Sequence, residues 1–159
     1  MSLESVKQYF KSFGRENDIR EFSQSSATVE LAAQAVGTAP ARIAKTLSFY
    51  SKEKDHAILI VTAGDMKIDN SKFKHFFGMK AKMLAKEDVE PLTGHGIGGV
   101  CPFANPSHTE IYLDQSLKRF ETVFPAAGSG NSAIELTCSE LEKYTNSKDW
   151  IEVCKPMDQ

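Results

Sequence analysis

Seven consecutive uncharged residues, Ala57-Ile58-Leu59-Ile60-Val61-Thr62-Ala63, constrain the fold of this chain more than any other stretch. So short a run, rich in β-branched side chains, predicts a strand buried on both faces. Just upstream, Ala44 to Tyr50 alternates polar and apolar residues, the pattern of a strand with one buried face. The polar segment Ser51 to His56 between them is short, so the two strands read as a hairpin.

Capping and stop residues place further elements around this hairpin. Leu3, Val6, Phe10 and Phe13 recur at helical spacing, with Ser2 as a cap and Gly14 as a stop. Ile19 to Phe22 reads as a short strand. Thr28 as N-cap, Glu30 in the first turn and Gly37 past the end frame a helix to Val36. Asp69, Asn70 or Ser71 caps another helix, through Phe77 to Gly78. Lys80 to Leu84 reads as a brief strand and Lys86 to Val89 as a turn of helix. Thr109 to Leu113, Glu121 to Phe124 and Ala133 to Leu136 read as strands, with a turn at Gly128 to Asn131. Ser139 with Glu142 forms a capping box for a helix to Tyr144, and Trp150 to Val153 closes the chain. Strands and helices are intermixed without regular βαβ alternation. The expectation is an α+β fold: a single domain over 1–159 with a closed or strongly curved mixed β-sheet surrounded by helices.

Composition narrows the function classes. The chain has 159 residues, 41% of them hydrophobic and 25% charged, with a net charge of −2. That balance is ordinary for a soluble domain and excludes a global polyanion binder, so any nucleic-acid contact must be local. No apolar run approaches the length that crosses a bilayer, and the first residues lack the pattern of a secretory signal. Cys101, Cys138 and Cys154 show neither a disulfide framework nor metal spacing. The expectation is a cytoplasmic protein with no metal or other cofactor.

Three features could carry chemistry. The first is the run from Gly94 to Phe103, in which Gly94, Gly96, Gly98 and Gly99 precede Pro102. It lacks the Gly-Lys-Ser/Thr ending of a P-loop and the following helix of a dinucleotide fingerprint. It is either a flexible connector or a loop that offers main-chain amides and carbonyls to an ester or phosphate. The second is Lys45, set among Ile43, Ala44, Leu47 and Phe49. Such a lysine either lays its stem over apolar surface with its head in water or meets an anion. The third is Cys101, a candidate thiol nucleophile with His95 and His108 as nearby candidate bases, or simply a small buried thiol. His56 and His75 lie in polar contexts and read as surface residues. Lys67, Lys72, Lys74, Lys80, Lys82 and Lys86 share a twenty-residue window with one acid, Asp69, and with Phe73, Phe76 and Phe77. This is a solvated helix face, or a basic rim that meets phosphates.

Taken in order, the residues resemble the YbaK / prolyl-tRNA-synthetase-associated editing domain family. The resemblance runs through Thr28 to Ala33, Arg42 to Leu47, Val61 to Asp65, the Gly98-Xaa-Xaa-Xaa-Pro102 loop, Leu113 to Leu117 and Ala126 to Gly128. It implies hydrolysis, in trans, of the ester of a mischarged aminoacyl-tRNA, most often tRNA for proline. Lys45 matches the lysine that would hold the phosphate or ribose of the terminal adenosine. Gly98, Gly99, Val100, Cys101 and Pro102 match the loop that cradles the aminoacyl group. Gly128, Ser129 and Asn131 fall on a stretch where some relatives carry a histidine that reads the amino acid; this chain has none there. The implied catalytic set is Lys45, Gly98 and Gly99, with the others binding substrate. Backbone groups and a ribose hydroxyl would position a water, without a side-chain nucleophile. Cysteine, alanine and serine are the candidate amino acids. The expected partners are the aminoacyl-tRNA acceptor end and an aminoacyl-tRNA synthetase, with no membrane and no DNA. The rival reading is a non-catalytic module that binds a tRNA end or docks on a synthetase; a thiol hydrolase built on Cys101 is a third.

Overall fold

The computed structural model describes residues 2–158. In chain order its elements are α1 (Ser2–Lys11), β1 (Arg20–Glu21), α2 (Val29–Val36), β2 (Ile43–Tyr50), β3 (Ala57–Ala63), β4 (Met66–Ile68), α3 (Asn70–Phe77), α4 (Lys86–Thr93), β5 (Glu110–Asp114), β6 (Thr122–Pro125), β7 (Ser132–Ala133), β8 (Leu136–Thr137), α5 (Cys138–Thr145), β9 (Asp149–Ile151) and β10 (Cys154–Pro156). Three short 3-10 turns connect them. The main sheet has six strands in the order β8-β6-β2-β3-β5-β9. It is mixed: β2 pairs antiparallel with β3 and parallel with β6, while β3, β5 and β9 run parallel. The sheet curls into a half-barrel and is not closed, so the curved alternative of the sequence expectation holds.

The hairpin at the centre forms as its sequence dictates. Every residue of β3 is buried. One face carries Leu59, Val61 and Ala63 into the main core with Val6 and Phe10 of α1 and Leu141 of α5. The other carries Ile58 and Ile60 into a second cluster with Phe49 and with Phe73 of α3. Filling each face with Leu, Ile and Phe removes about 1.5–3 kcal/mol of apolar exposure per side chain. A small third cluster seats α2 on Ile43 and Phe124.

At α2 and α3 the capping and stop residues act as their sequence signals dictate. Thr28 accepts from the Leu31 N–H, Asp69 accepts from the Ser71 and Lys72 N–H groups, and Gly37 and Gly78 end their helices. Five expectations are corrected. The helix read from Ser139 starts at Cys138, because Thr137 and Glu140 form the reciprocal capping box two residues earlier. Alternation along β2 is lost, with the neighbours Ser48 and Phe49 both buried, because both faces are covered there. Ala133 to Leu136 is not one strand: β7 pairs with β1 and β8 with β6, so the chain changes partners between them. Lys80 to Leu84 forms only an isolated bridge, Phe49 to Met83, and α4 runs the full eight residues to Thr93. The small β4–β10 ribbon was not anticipated.

Candidate functional site

The register of β2 creates the site. Strand β6 pairs with it only at Ile43 and Ala44 and then diverges. Farther along the same edge, Tyr50 N–H donates to Lys82 C=O at 2.9 Å and Leu84 N–H donates to Ser48 C=O at 3.2 Å. Between those two contacts the edge of β2 is open. A cavity of roughly 260 Å³ occupies the gap. Lys45, Thr46 and Ser48 of β2 form its floor, Thr28, Val29 and Ala32 at the start of α2 form one wall, and Gly98 and Val100 of the glycine-rich loop form another. Ser132 and Ala133 of β7 complete it, and Met83 and Ile97 stand at its rim, both well exposed.

Lys45 is half-buried, and its Nζ lies 3.4 Å from the Gly64 carbonyl oxygen and 3.7 Å from the Met157 sulfur. Burial holds its pKa below the ordinary lysine value, against the opposing pull of Asp65 and Glu30. Asp65 does not pair with it, because both its carboxylate oxygens are held by Arg119 at 2.6 and 3.0 Å. A partly desolvated ammonium without an ion-pair partner is ready to receive an anion or a carbonyl dipole.

The loop is shaped by two glycines. Gly98 has φ +90°, which L side chains rarely adopt. Gly99 is buried, and a Cβ there would meet the Gly128 oxygen and the Ser129 Cα at 2.9 Å. Its N–H is spent on Gly96 C=O at 3.0 Å, whereas the N–H groups of Gly98 and Val100 make no main-chain bond among the described residues. Gly99 therefore gives the loop its shape, and the two neighbouring amides remain as donors. Gly128, Ser129 and Asn131 stand behind the loop and do not line the cavity. Ser129 Oγ hydrogen-bonds to Asn131 Oδ1 at 2.9 Å and to Ser132 Oγ at 2.6 Å, and Asn131 Nδ2 donates to Phe22 C=O at 3.0 Å. These bonds fix the turn beneath Ser132.

Cys101 and Pro102 lie away from the cavity. Cys101 is fully buried in the main core, and burial lifts its thiol to about 12. Pro102 borders a separate cavity beside Tyr9 and Asn105. His95 is also fully buried, and its Nε2 lies 2.7 Å from Phe103 C=O. That carbonyl accepts only, so Nε2 carries the proton and cannot act as a base for the cysteine. His108 is exposed and stacks edge-on with His56, not near Cys101. His56, read as a surface residue, is instead held between Asp55 at 2.8 Å and Glu110 at 2.6 Å.

The sequence reading missed Thr46. The residue lines the cavity, and its hydroxyl is buried without a hydrogen-bond partner. A buried hydroxyl left unpaired is costly, so this position beside the cavity carries an unsatisfied polar group. The only available signal was its adjacency to Lys45 on one strand. Among the described residues no cluster of His, Cys, Asp or Glu has the arrangement of a metal site, and no helix is long and apolar enough to cross a membrane.

Comparison with known proteins agrees with this geometry. The family model described as the aminoacyl-tRNA editing domain matches residues 23–144, a span that contains the whole cavity lining. The uncharacterized protein YwhH of Bacillus subtilis (strain 168) is 59% identical over 155 residues, covering 98% of each chain. A crystal structure described as a candidate trans-editing enzyme for prolyl tRNA synthetase superposes with a TM-score of 0.86 at 28% identity over 97% of each chain. The hypothetical protein APE2540 superposes with a TM-score of 0.82 at 25% identity over 95% of this chain and 99% of its own.

Proposed function

Since the chain belongs to the aminoacyl-tRNA editing domain family, we propose that it is a deacylase that hydrolyses the ester of mischarged aminoacyl-tRNA in trans. The substrate in this reading is tRNA for proline carrying a small amino acid, with cysteine, alanine and serine as candidates. One observation carries the proposal: Lys45, whose ammonium makes no ion pair among the described residues, lines one cavity with Gly98 and Val100, whose amides are free, and that lining holds no cysteine and no histidine or carboxylate to activate its serine and threonine hydroxyls.

The chemistry follows from those groups. Lys45 holds the phosphate or ribose of the terminal nucleotide as a point charge. The loop amides face the ester carbonyl and favour the oxyanion that forms when water adds to it. Collapse of that tetrahedral intermediate breaks the acyl C–O bond. Of the water's two protons, one goes to the ribose oxygen, which leaves as a hydroxyl, and the other is released to solvent as the amino acid leaves as a carboxylate, so one water is consumed. Holding water and ester together in a partly dry pocket supplies the rate, and no covalent enzyme intermediate is needed. The expected assay result is turnover of at least one aminoacyl group across a panel of charged tRNAs for proline, alanine and cysteine. Tight binding of the same tRNAs with no turnover for any of them would favour the rival, a non-catalytic module that docks the tRNA end or a synthetase.

A further inference from the structure

A second cationic feature lies farther along β2, on the strand face opposite Lys45. Side chains on a strand alternate, so Thr46, Ser48 and Tyr50 share one face. Tyr50 ends that row, and its ring carries two ammonium groups: Lys54 Nζ at 6.0 Å and Lys82 Nζ at 5.7 Å from the centroid. Tyr50 is a fixed platform, because its hydroxyl donates to Asp88 Oδ2 and accepts from the Ala85 N–H at 3.0 Å. Lys54 sits in the hairpin turn with φ 62°, an uncommon conformation for a residue with a side chain. Lys82 is bonded through its carbonyl to Tyr50 N–H, and the next residue, Met83, is at the cavity rim.

Among the described residues neither lysine forms an ion pair. Two acids lie near Tyr50: Asp88 is engaged by the Tyr50 hydroxyl, and Glu87 acts on that hydroxyl through its charge, but neither pairs with Lys54 or Lys82. The two ammoniums crowd each other enough that contact with Lys54 holds Lys82 below the ordinary lysine pKa. Two like charges gathered on one ring, unpaired and next to a cavity mouth, form a site whose missing partner is an anion.

We propose that Lys54 and Lys82 clamp a backbone phosphate of the single-stranded RNA end whose terminal ester enters the cavity, with Tyr50 and Met83 as the surface beneath the adjoining nucleotide. This rests on reading the cavity as an aminoacyl-tRNA site. Tyr50 lies four residues along β2 from Thr46, about 13 Å at strand spacing, so the clamp meets the nucleotides preceding the terminal one. It also explains how a chain of net charge −2 engages a polyanion: attraction is confined to the strand that must be threaded.

The test measures equilibrium binding of an uncharged RNA hairpin that ends in a short single-stranded 3′ overhang, beside the same hairpin without the overhang. The K54E/K82E double variant should bind the overhang hairpin roughly tenfold more weakly at low salt, with a salt slope smaller by about 1. It should bind the blunt hairpin as the wild type does, melt at the same temperature, and regain affinity as K54R/K82R. Inorganic phosphate at matched ionic strength should not displace the RNA. Unchanged affinity in K54E/K82E, an equal loss on the blunt hairpin, displacement by phosphate alone, or no binding of the overhang hairpin by the wild type would each overturn the clamp. Because the readout is binding of uncharged RNA, a wild type that binds the overhang through these lysines yet hydrolyses nothing would refute the deacylase reading and leave the clamp standing.

Discussion

The imidazole of His95 lies 3.4 Å from the Cys101 sulfur, yet the pair is not a catalytic dyad. The His95 Nε2 proton goes to Phe103 C=O, burial lowers the histidine's own pKa, and burial lifts the thiol to about 12. Both groups are held neutral in the core. Cys101→Ala should therefore keep turnover within about twofold and cost about 1–2 kcal/mol of stability as a small cavity. Iodoacetamide should leave Cys101 unmodified in the folded protein at neutral pH. Loss of hydrolysis in Cys101→Ala, with its melting transition preserved, would revive the thiol mechanism.

Gly99 tests whether loop shape governs the reaction. A methyl group there meets the main chain of Gly128 and Ser129 at 2.9 Å, so one of the two segments must move. Displacing the loop by a fraction of an ångström shifts the amides of Gly98 and Val100. Gly99→Ala should lower kcat/KM by about tenfold to a hundredfold. The comparison with Cys101→Ala is the informative one: the reverse ranking of the two variants would contradict a main-chain mechanism.

Thr46→Val separates stability from function. It removes a buried hydroxyl that has no partner in the free protein while keeping the side-chain shape. Thermal stability should hold or rise, because an unsatisfied group is lost. If the hydroxyl pairs with substrate, kcat/KM should fall by about tenfold, roughly one hydrogen bond. Unchanged kinetics would remove Thr46 from the site.

His56 gives the fold a pH dependence away from the cavity. Burial disfavours its charged form, but hydrogen bonds to Glu110 and Asp55 outweigh that and raise its pKa. A histidine whose pKa is raised on folding contributes stability that is full below its unfolded value of about 6.5 and is lost as pH climbs through the folded value. The melting temperature of the wild type relative to His56→Gln should thus shrink as pH rises from about 6 to about 8. A difference independent of pH would mean that the imidazole is not charged in the fold.

Much of this architecture is legible in the sequence where one local signal acts alone. The uniform apolar run of β3 leaves no exposed face to choose, and Thr28 with Gly37 frames α2 without competition. Legibility fails where two local signals compete or where pairing is non-local. Thr137 and Ser139 each precede a glutamate at capping-box spacing, and only packing selects the first. The short β4 and β10 have no pattern of their own and exist because each supplies the other's hydrogen bonds. At the site, Lys45 and Gly98 were visible as residues whose types need an explanation. Thr46 was not, because a threonine in a strand is unremarked until its hydroxyl proves buried and alone. The placement of Cys101 behind the loop likewise depends on which side of Gly99 turns inward, which composition does not encode.

The most direct measurement is the hydrolysis rate of a panel of aminoacyl-tRNAs by the wild type and by Lys45→Ala, with circular dichroism melting as the control for folding. Lys45 is half-buried at the cavity and makes no ion pair among the described residues, so its truncation should leave the fold intact. The account predicts turnover of a small aminoacyl group by the wild type and loss of at least about a hundredfold in the folded variant. Full activity in a folded Lys45→Ala protein would contradict it.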